Sequence, residues 1–125
     1  MERIRRGDIW TVSLPTFEKP RPALIVSIDP INDLRPDVLV VPITSQAGPL
    51  RVRLPDVDEG TGLRLDSYAK CEVVGPVHKS RLKRRIGQIP ERAWPAVEAG
   101  LARVLGLPEL DVSIGSPDPG GDTLD

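Results

Sequence analysis

A guanidinium held between two prolines, in Pro20-Arg21-Pro22, opens an aliphatic run that ends at Ile25-Val26-Ser27. A second run, Val40-Val41-Pro42-Ile43, is closed by two hydroxyls, Thr44-Ser45, with Gln46 behind them. Arginine is always charged, and its planar fork matches the oxygens of a phosphate. Hydroxyls can hold further oxygens of the same group. These residues are too polar for the core that their strands imply, so a rigid sheet carrying them at its rim suits phosphate binding. Each also has a plainer reading. Arg21 could pair with Glu18 or Asp8, and Thr44 and Ser45 could bond the local backbone of a turn.

Lys70 and Glu72 form a second candidate pair. Residues 67–74 read as one strand, which would project both side chains from one face roughly 6.5–7 Å apart. A cation beside a carboxylate can bind a phosphodiester and move a proton, or can simply be a solvent-facing pair. Lys79, Arg81, Lys83, Arg84 and Arg85 make the densest basic run. Such a run tracks a nucleic-acid backbone or protects a sheet edge from aggregation. Trp10, Phe17 and Tyr68 could stack bases, although Trp10 and Trp94 better suit a core or a subunit interface. A single histidine, His78, and a single cysteine, Cys71, cannot build a His/Cys metal cluster, and no Gly-x-Ser-x-Gly turn is present. A His/Cys metal site is therefore not expected, and no cofactor is expected. The lone cysteine excludes an internal disulfide and suits a reducing cytoplasm.

Charge divides along the chain. All 17 Lys and Arg precede residue 108, whereas Glu109, Asp111, Asp118, Asp122 and Asp125 follow it. The first 107 residues carry +4 and the last 18 carry −5, which together give the net −1. A mildly cationic body fits a polyanionic partner.

The elements that must position these groups follow from periodicity. Residues 8–14 alternate, with Trp10, Val12 and Leu14 on one face. Residues 15–20 form a loop, and 22–28 and 38–43 are near-continuous apolar runs that read as central strands with a turn-rich link at 29–37. Residues 50–54 alternate, with Arg51 and Arg53 toward water. Residues 55–62 are loop, 67–74 a strand and 84–89 a last short strand. Ala93, Val97, Leu101, Val104 and Leu105 then fall at helical spacing, which predicts a helix near 91–105 that Gly106 and Pro108 end. Pro95 either sits in its first turn or kinks it. Six short strands and a C-terminal helix predict a mainly β domain over residues 1–107. It would be an SH3-like barrel or a strongly bent antiparallel sheet with the helix packed on it. Residues 108–125 read as an acidic, flexible tail. No segment approaches the ~20 apolar residues of a membrane helix, so no membrane partner is expected.

Six blocks in order carry a family resemblance: Arg-Gly-Asp-Ile-Trp (6–10), Arg-Pro-Ala-Leu-Ile-Val-Ser (21–27), Val-Val-Pro-Ile-Thr-Ser (40–45), Cys-Glu (71–72), Lys-Ser-Arg-Leu (79–82) and Arg-Ile-Gly-Gln-Ile-Pro-Glu (85–91). From residue 6 to about 107 the chain resembles the MazF/PemK family of bacterial toxins. The resemblance implies a sequence-specific, metal-independent endoribonuclease on an SH3-like barrel. It would form a homodimer, cut single-stranded mRNA and be neutralised by a cognate antitoxin. It puts the catalytic arginine at Arg21 and the catalytic threonine at Thr44. Ser45 and Gln46 fall at RNA-contacting positions, Glu72 at a carboxylate beside the RNA, and Lys70 at a basic position that some members use in catalysis. Glu72 is the third catalytic candidate, better suited than Arg21 to act as general base because a guanidinium scarcely deprotonates. Phe17, Glu18, Lys79 and Arg81 complete the expected substrate contacts.

Two departures stand out. The loop Pro15-Thr16-Phe17-Glu18-Lys19-Pro20 is shorter than is usual in the family, and Val73-Val74-Gly75-Pro76-Val77-His78 replaces the usual Gln-Ile-Arg-Thr-Ile-Asp. Two other readings remain open at this point: a non-enzymatic gyrase poison of the same fold, resembling CcdB, and a catalytically weakened binding module.

Overall fold

Among the described residues seven strands form: β1 (Asp8–Val12), β2 (Arg21–Ile25), β3 (Asp37–Thr44), β4 (Arg51–Leu54), β5 (Ser67–Lys70), β6 (Gly75–His78) and β7 (Leu82–Gln88). A short helix, α1 (Asp29–Leu34), links β2 to β3, and α2 (Trp94–Leu105) follows β7. The computed structural model describes residues 2–108. The acidic tail expected from 108 onward lies, after Pro108, outside the described residues.

All pairings are antiparallel, in the order β4-β5-β3-β2-β1-β7, with β6 also on β3. The mainly β expectation with a C-terminal helix holds, and the bent sheet is open at β4 and β7. Its central strands bury both faces, which is why their sequences read as unbroken apolar runs. Leu24, Val41, Ile43, Val52, Leu54 and Ala69 pack against Trp94 and Val97 of α2. The alternate residues Ala23, Ile25, Val38 and Val40 join Trp10, Val12, Val77 and Leu82 on the other face. Both tryptophans are buried, so they serve the core and not a stacking surface.

Three local differences from the sequence reading have physical causes. The link 29–37 contains α1, although Asp29, Pro30 and Asn32 are turn-formers. Pro30 fits the first helical turn, and buried Asn32 is held by Ser27: the Ser27 hydroxyl donates to Asn32 Oδ1 at 2.5 Å, and Asn32 Nδ2 donates to the Ser27 carbonyl at 3.0 Å. Pro95 lies in the first turn of α2, where its missing N–H costs nothing. The strand expected over 67–74 stops at Lys70, and Cys71–Val73 form a 3-10 turn before β6 begins. On β3, Ile43 pairs with Ala69 and Thr44 with Tyr68, whereas Val40 pairs with Gly75 and Asp37 with His78. The paired numbers sum to 112 before the turn and 115 after it, so three residues are inserted there.

That turn is seated on α2 at Gly100. A Cβ on Gly100 would lie 2.7 Å from Val52 Cγ2 and 2.8 Å from Cys71 Sγ, so the helix reaches the sheet only because that atom is missing.

Candidate active site

The register of β2 on β3 decides where the chemistry-bearing residues meet. Ala23 pairs with Pro42, Leu24 with Val41 and Ile25 with Val40. Extended by two residues, this pairing sets Arg21 opposite Thr44. Thr44 in turn pairs with Tyr68 on β5, which sets Lys70 opposite Pro42. Arg21, Thr44 and Lys70 therefore share the sheet face turned away from α2. A cleft of about 390 Å³ opens there, and its lining includes Phe17, Arg21, Thr44, Ser45, Arg64, Ser67 and Lys70. Three cations and three hydroxyls line it, and no carboxylate does.

The plainer reading of Arg21 is not what forms. Among the described residues it makes no ion pair. Asp8 is buried and occupied by Arg85 Nε at 3.1 Å, by the Arg5 backbone N–H at 2.9 Å and by Trp10 Nε1 at 3.3 Å. Glu18 is exposed and does not line the cleft. The Arg21 guanidinium instead lies over the Phe17 ring, 4.9 Å from its centroid. That contact holds the cation in place without consuming its charge. For Thr44 both readings hold together. Its Oγ1 accepts the Gln46 backbone N–H at 3.2 Å, which makes the turn and leaves the hydroxyl hydrogen free to donate into the cleft.

Glu72 and Lys70 do not share a strand face. The three-residue insertion takes Glu72 out of β5 into the 3-10 turn, and Glu72 does not line the cleft. Its carboxylate accepts Arg51 Nε at 3.2 Å. Its own backbone N–H, then the hydrogen bond and charge of Arg51, and then Lys70, outweigh partial burial and hold the acid below the usual carboxylate range. The neighbouring Cys71 thiol is pushed up, first by burial and then by the Glu72 charge. Arg51 also donates from Nη1 to the Gln46 carbonyl at 2.9 Å, which ties the turn after Thr44 to Glu72.

The basic run disperses. Lys79 follows His78, the partner of Asp37 at the start of β3, seven residues or roughly 23 Å of strand from Thr44. Arg81 donates to the Ser13 carbonyl at 3.3 Å, beside Leu14, which does line the cleft. Arg85 is committed to Asp8 and Gln88. His78 accepts the Ser80 N–H at 3.1 Å and acts as a cap. Sequence pattern does not single out Arg64, because an isolated cation in a glycine-containing loop has nothing to announce it.

An open, bent antiparallel sheet with a helix behind it and an acid-free cationic cleft in front defines a small β protein whose cleft has the charge and hydroxyls that suit an anion. Comparison with known proteins gives the family. Residues 5–105 match the family described as PemK-like, MazF-like toxin of type II toxin-antitoxin system, and the chain belongs to it. A probable endoribonuclease MazF of Mycolicibacterium smegmatis is 34% identical over 109 residues, spanning 83% of this chain and 98% of that protein. Endoribonuclease MazF6 of Mycobacterium tuberculosis is 33% identical over 114 residues, with the same shares. Among solved structures, an endoribonuclease in complex with its cognate antitoxin from a mycobacterial species superimposes with a TM-score of 0.72. It is 26% identical and covers 86% of this chain and 98% of that one.

Proposed function

We propose that this chain is an endoribonuclease toxin that cuts single-stranded RNA without a metal ion. The ribose 2′-hydroxyl gives up its proton as its oxygen attacks the adjacent phosphorus, the bond to the 5′-oxygen breaks and that oxygen takes up a proton, so the products are a 2′,3′-cyclic phosphate and a 5′-hydroxyl. The substrate brings its own nucleophile, so the protein needs none, and DNA cannot react. The observation that carries this reading is the meeting of Arg21 and Thr44 in one cleft without a carboxylate. Arg21 neutralises charge as it builds on the phosphoryl oxygens, and Thr44 donates to one of them. Each contact, if made mainly in the transition state, contributes about 2.7–4 kcal/mol.

Lys70, Ser45 and Gln46 hold the flanking RNA, and Arg81 with Lys79 extends the phosphate track along the sheet. Phe17 stands between the cleft and a second cavity of about 360 Å³ that also includes Pro42 and Lys70 in its lining, a position suited to stacking a base. Glu18 contacts the substrate from the same loop. Glu72 flanks the RNA as an ionised carboxylate and acts on the cleft through Arg51. The protein works in the cytoplasm as a homodimer and is silenced by a cognate antitoxin. Exposed Ile28 and Leu34, beside the apolar groove of Ile31 and Leu39, leave surface that a second copy could cover.

The test is digestion of a long single-stranded RNA in EDTA with catalytic amounts of protein, read by primer extension. Expected are discrete cuts with cyclic phosphate ends, and resistance when the cut ribose is replaced by deoxyribose. Cutting that needs added metal, or cutting of the deoxy substrate, overturns the reading.

A further inference from the structure

The loop after Thr44 is held by one side chain that spans two elements. Arg51, at the start of β4, is only 22% exposed at its side chain despite its charge. Its Nη1 donates to the Gln46 carbonyl at 2.9 Å and its Nε to Glu72 at 3.2 Å. Its backbone N–H donates to the Gly48 carbonyl at 3.2 Å. The stem of the same side chain lies across Gly48, where a Cβ would come within 3.4 Å of Arg51 Cδ. Leu50, at the end of this loop, has φ 64, a conformation that a branched side chain adopts only when its surroundings impose it.

Gln46 is consequently gripped at both ends. Its N–H is on Thr44 Oγ1 and its carbonyl is on Arg51. Moving Arg51 would release the carbonyl, let the turn relax and turn the Thr44 hydroxyl away from the cleft. The three-residue insertion at Cys71–Val73 explains the anchor. In an uninterrupted β5 the register would carry Glu72 on along β3 opposite Val40, whereas the 3-10 turn brings its carboxylate to the Arg51 guanidinium.

We propose that Arg51 is a positioning residue for the reaction: anchored by Glu72, it holds Gln46 and thereby aims the Thr44 hydroxyl. The inference rests on the nuclease reading of the Arg21–Thr44 cleft. Small errors in aim are expensive in catalysis, so loss of the clamp should lower kcat by about 10- to 100-fold. Substrate is still bound by Arg21, Lys70 and Arg64, so KM should stay within about 3-fold. Arg51 and Glu72 act in series, so their losses should not multiply.

The experiment measures kcat, KM and melting temperature for Arg51→Met, Glu72→Ala, the double variant and Arg21→Ala, on one RNA in EDTA. Expected are equal kcat losses for the two singles with KM nearly unchanged, and a double variant no slower than the slower single. Arg51→Lys keeps the charge and most of the stem but can reach only one of the two partners. It should show the same kcat loss, and it supplies the reading should the methionine variant not fold. A wild-type kcat in the Arg51 variants, a loss lying wholly in KM, or losses that multiply would overturn the inference. Arg21→Ala separates the two failures. If it cuts like wild type, the nuclease reading of the cleft falls; if it is inactive while the Arg51 variants are normal, only the positioning role falls.

Discussion

Replacing Arg21 should separate activity from stability, because among the described residues its guanidinium is tied only to the Phe17 ring. The guanidinium lies 4.9 Å over Phe17 and makes no ion pair among the described residues. An exposed cation–π contact contributes about 0.5–1 kcal/mol. For a domain of this size, Arg21→Ala should lower the melting temperature by no more than about 8 °C. The pairing of Arg21 with Val12 in the sheet is made by backbone and survives the change. Activity should fall far more. A cation aimed at developing charge supplies about 2.7–4 kcal/mol, or 10²- to 10³-fold in rate. An interaction made only in the transition state is lost from kcat, and one made equally to bound substrate is lost from KM. Arg21→Lys sharpens the test, since it restores charge without the fork and should recover KM while leaving kcat low. The assay is initial rate against RNA concentration in EDTA, beside a thermal melt of each variant. An alanine variant within 10-fold of wild-type kcat, or one whose whole loss lies in KM, would refute the assignment and make Arg21 a binding residue only.

Other consequences follow from the packing around the cleft. Gly100→Ala would gain about 1 kcal/mol at an open helical position. Here its Cβ would strike Val52 and Cys71, and overpacking of about 1–3 kcal/mol should leave the protein less stable in urea; a raised midpoint would refute this. The Cys71 thiol is buried with its pKa pushed up, so a thiol reagent at pH 8 should label it only after denaturant is added, and labelling of the folded protein would show the turn to be open. Glu72 is held ionised chiefly by its own backbone N–H and by Arg51, with a folded pKa below the unfolded one. That stability is fully present above the ordinary carboxylate range and is lost as pH falls through the folded value. Glu72→Gln should therefore flatten the dependence of the urea midpoint on pH below about 4.5, and an unchanged slope would refute it.

Arg21, Thr44 and Ser45 are legible as candidates because each is a polar residue at one end of an apolar run, and Lys70 because it stands two residues from Glu72 in a segment that reads as one strand. Their meeting needed the register of three strands, which periodicity does not give. The basic run at 79–85 shows the converse. Its members are neighbours in sequence, yet Lys79 sits toward the Asp37 end of β3, Arg81 on Ser13 and Arg85 on Asp8. For Arg51 the sequence pattern predicts only a water-facing strand residue. Its alternation was right, but alternation is silent on what a long side chain reaches across to.

The segment 67–78 was the hardest to read, and the reason lies in the sheet. Ala69, Cys71 and Val77 are all buried, so the odd-numbered apolar positions on either side of the turn resemble one continuing strand, although Val73 within the turn is exposed. The insertion is nonetheless odd in length, and it changes which face those residues enter. Ala69 packs with the cluster under α2, whereas Val77 packs with Trp10 and Val40 on the opposite side. Because β3 buries both its faces, either side accepts an apolar residue, and a flip between them leaves no polar mark in the sequence. The break is visible only in what it releases: a carboxylate that strand geometry would have set beside Lys70 is brought instead to Arg51, and from there it governs the turn that carries Thr44.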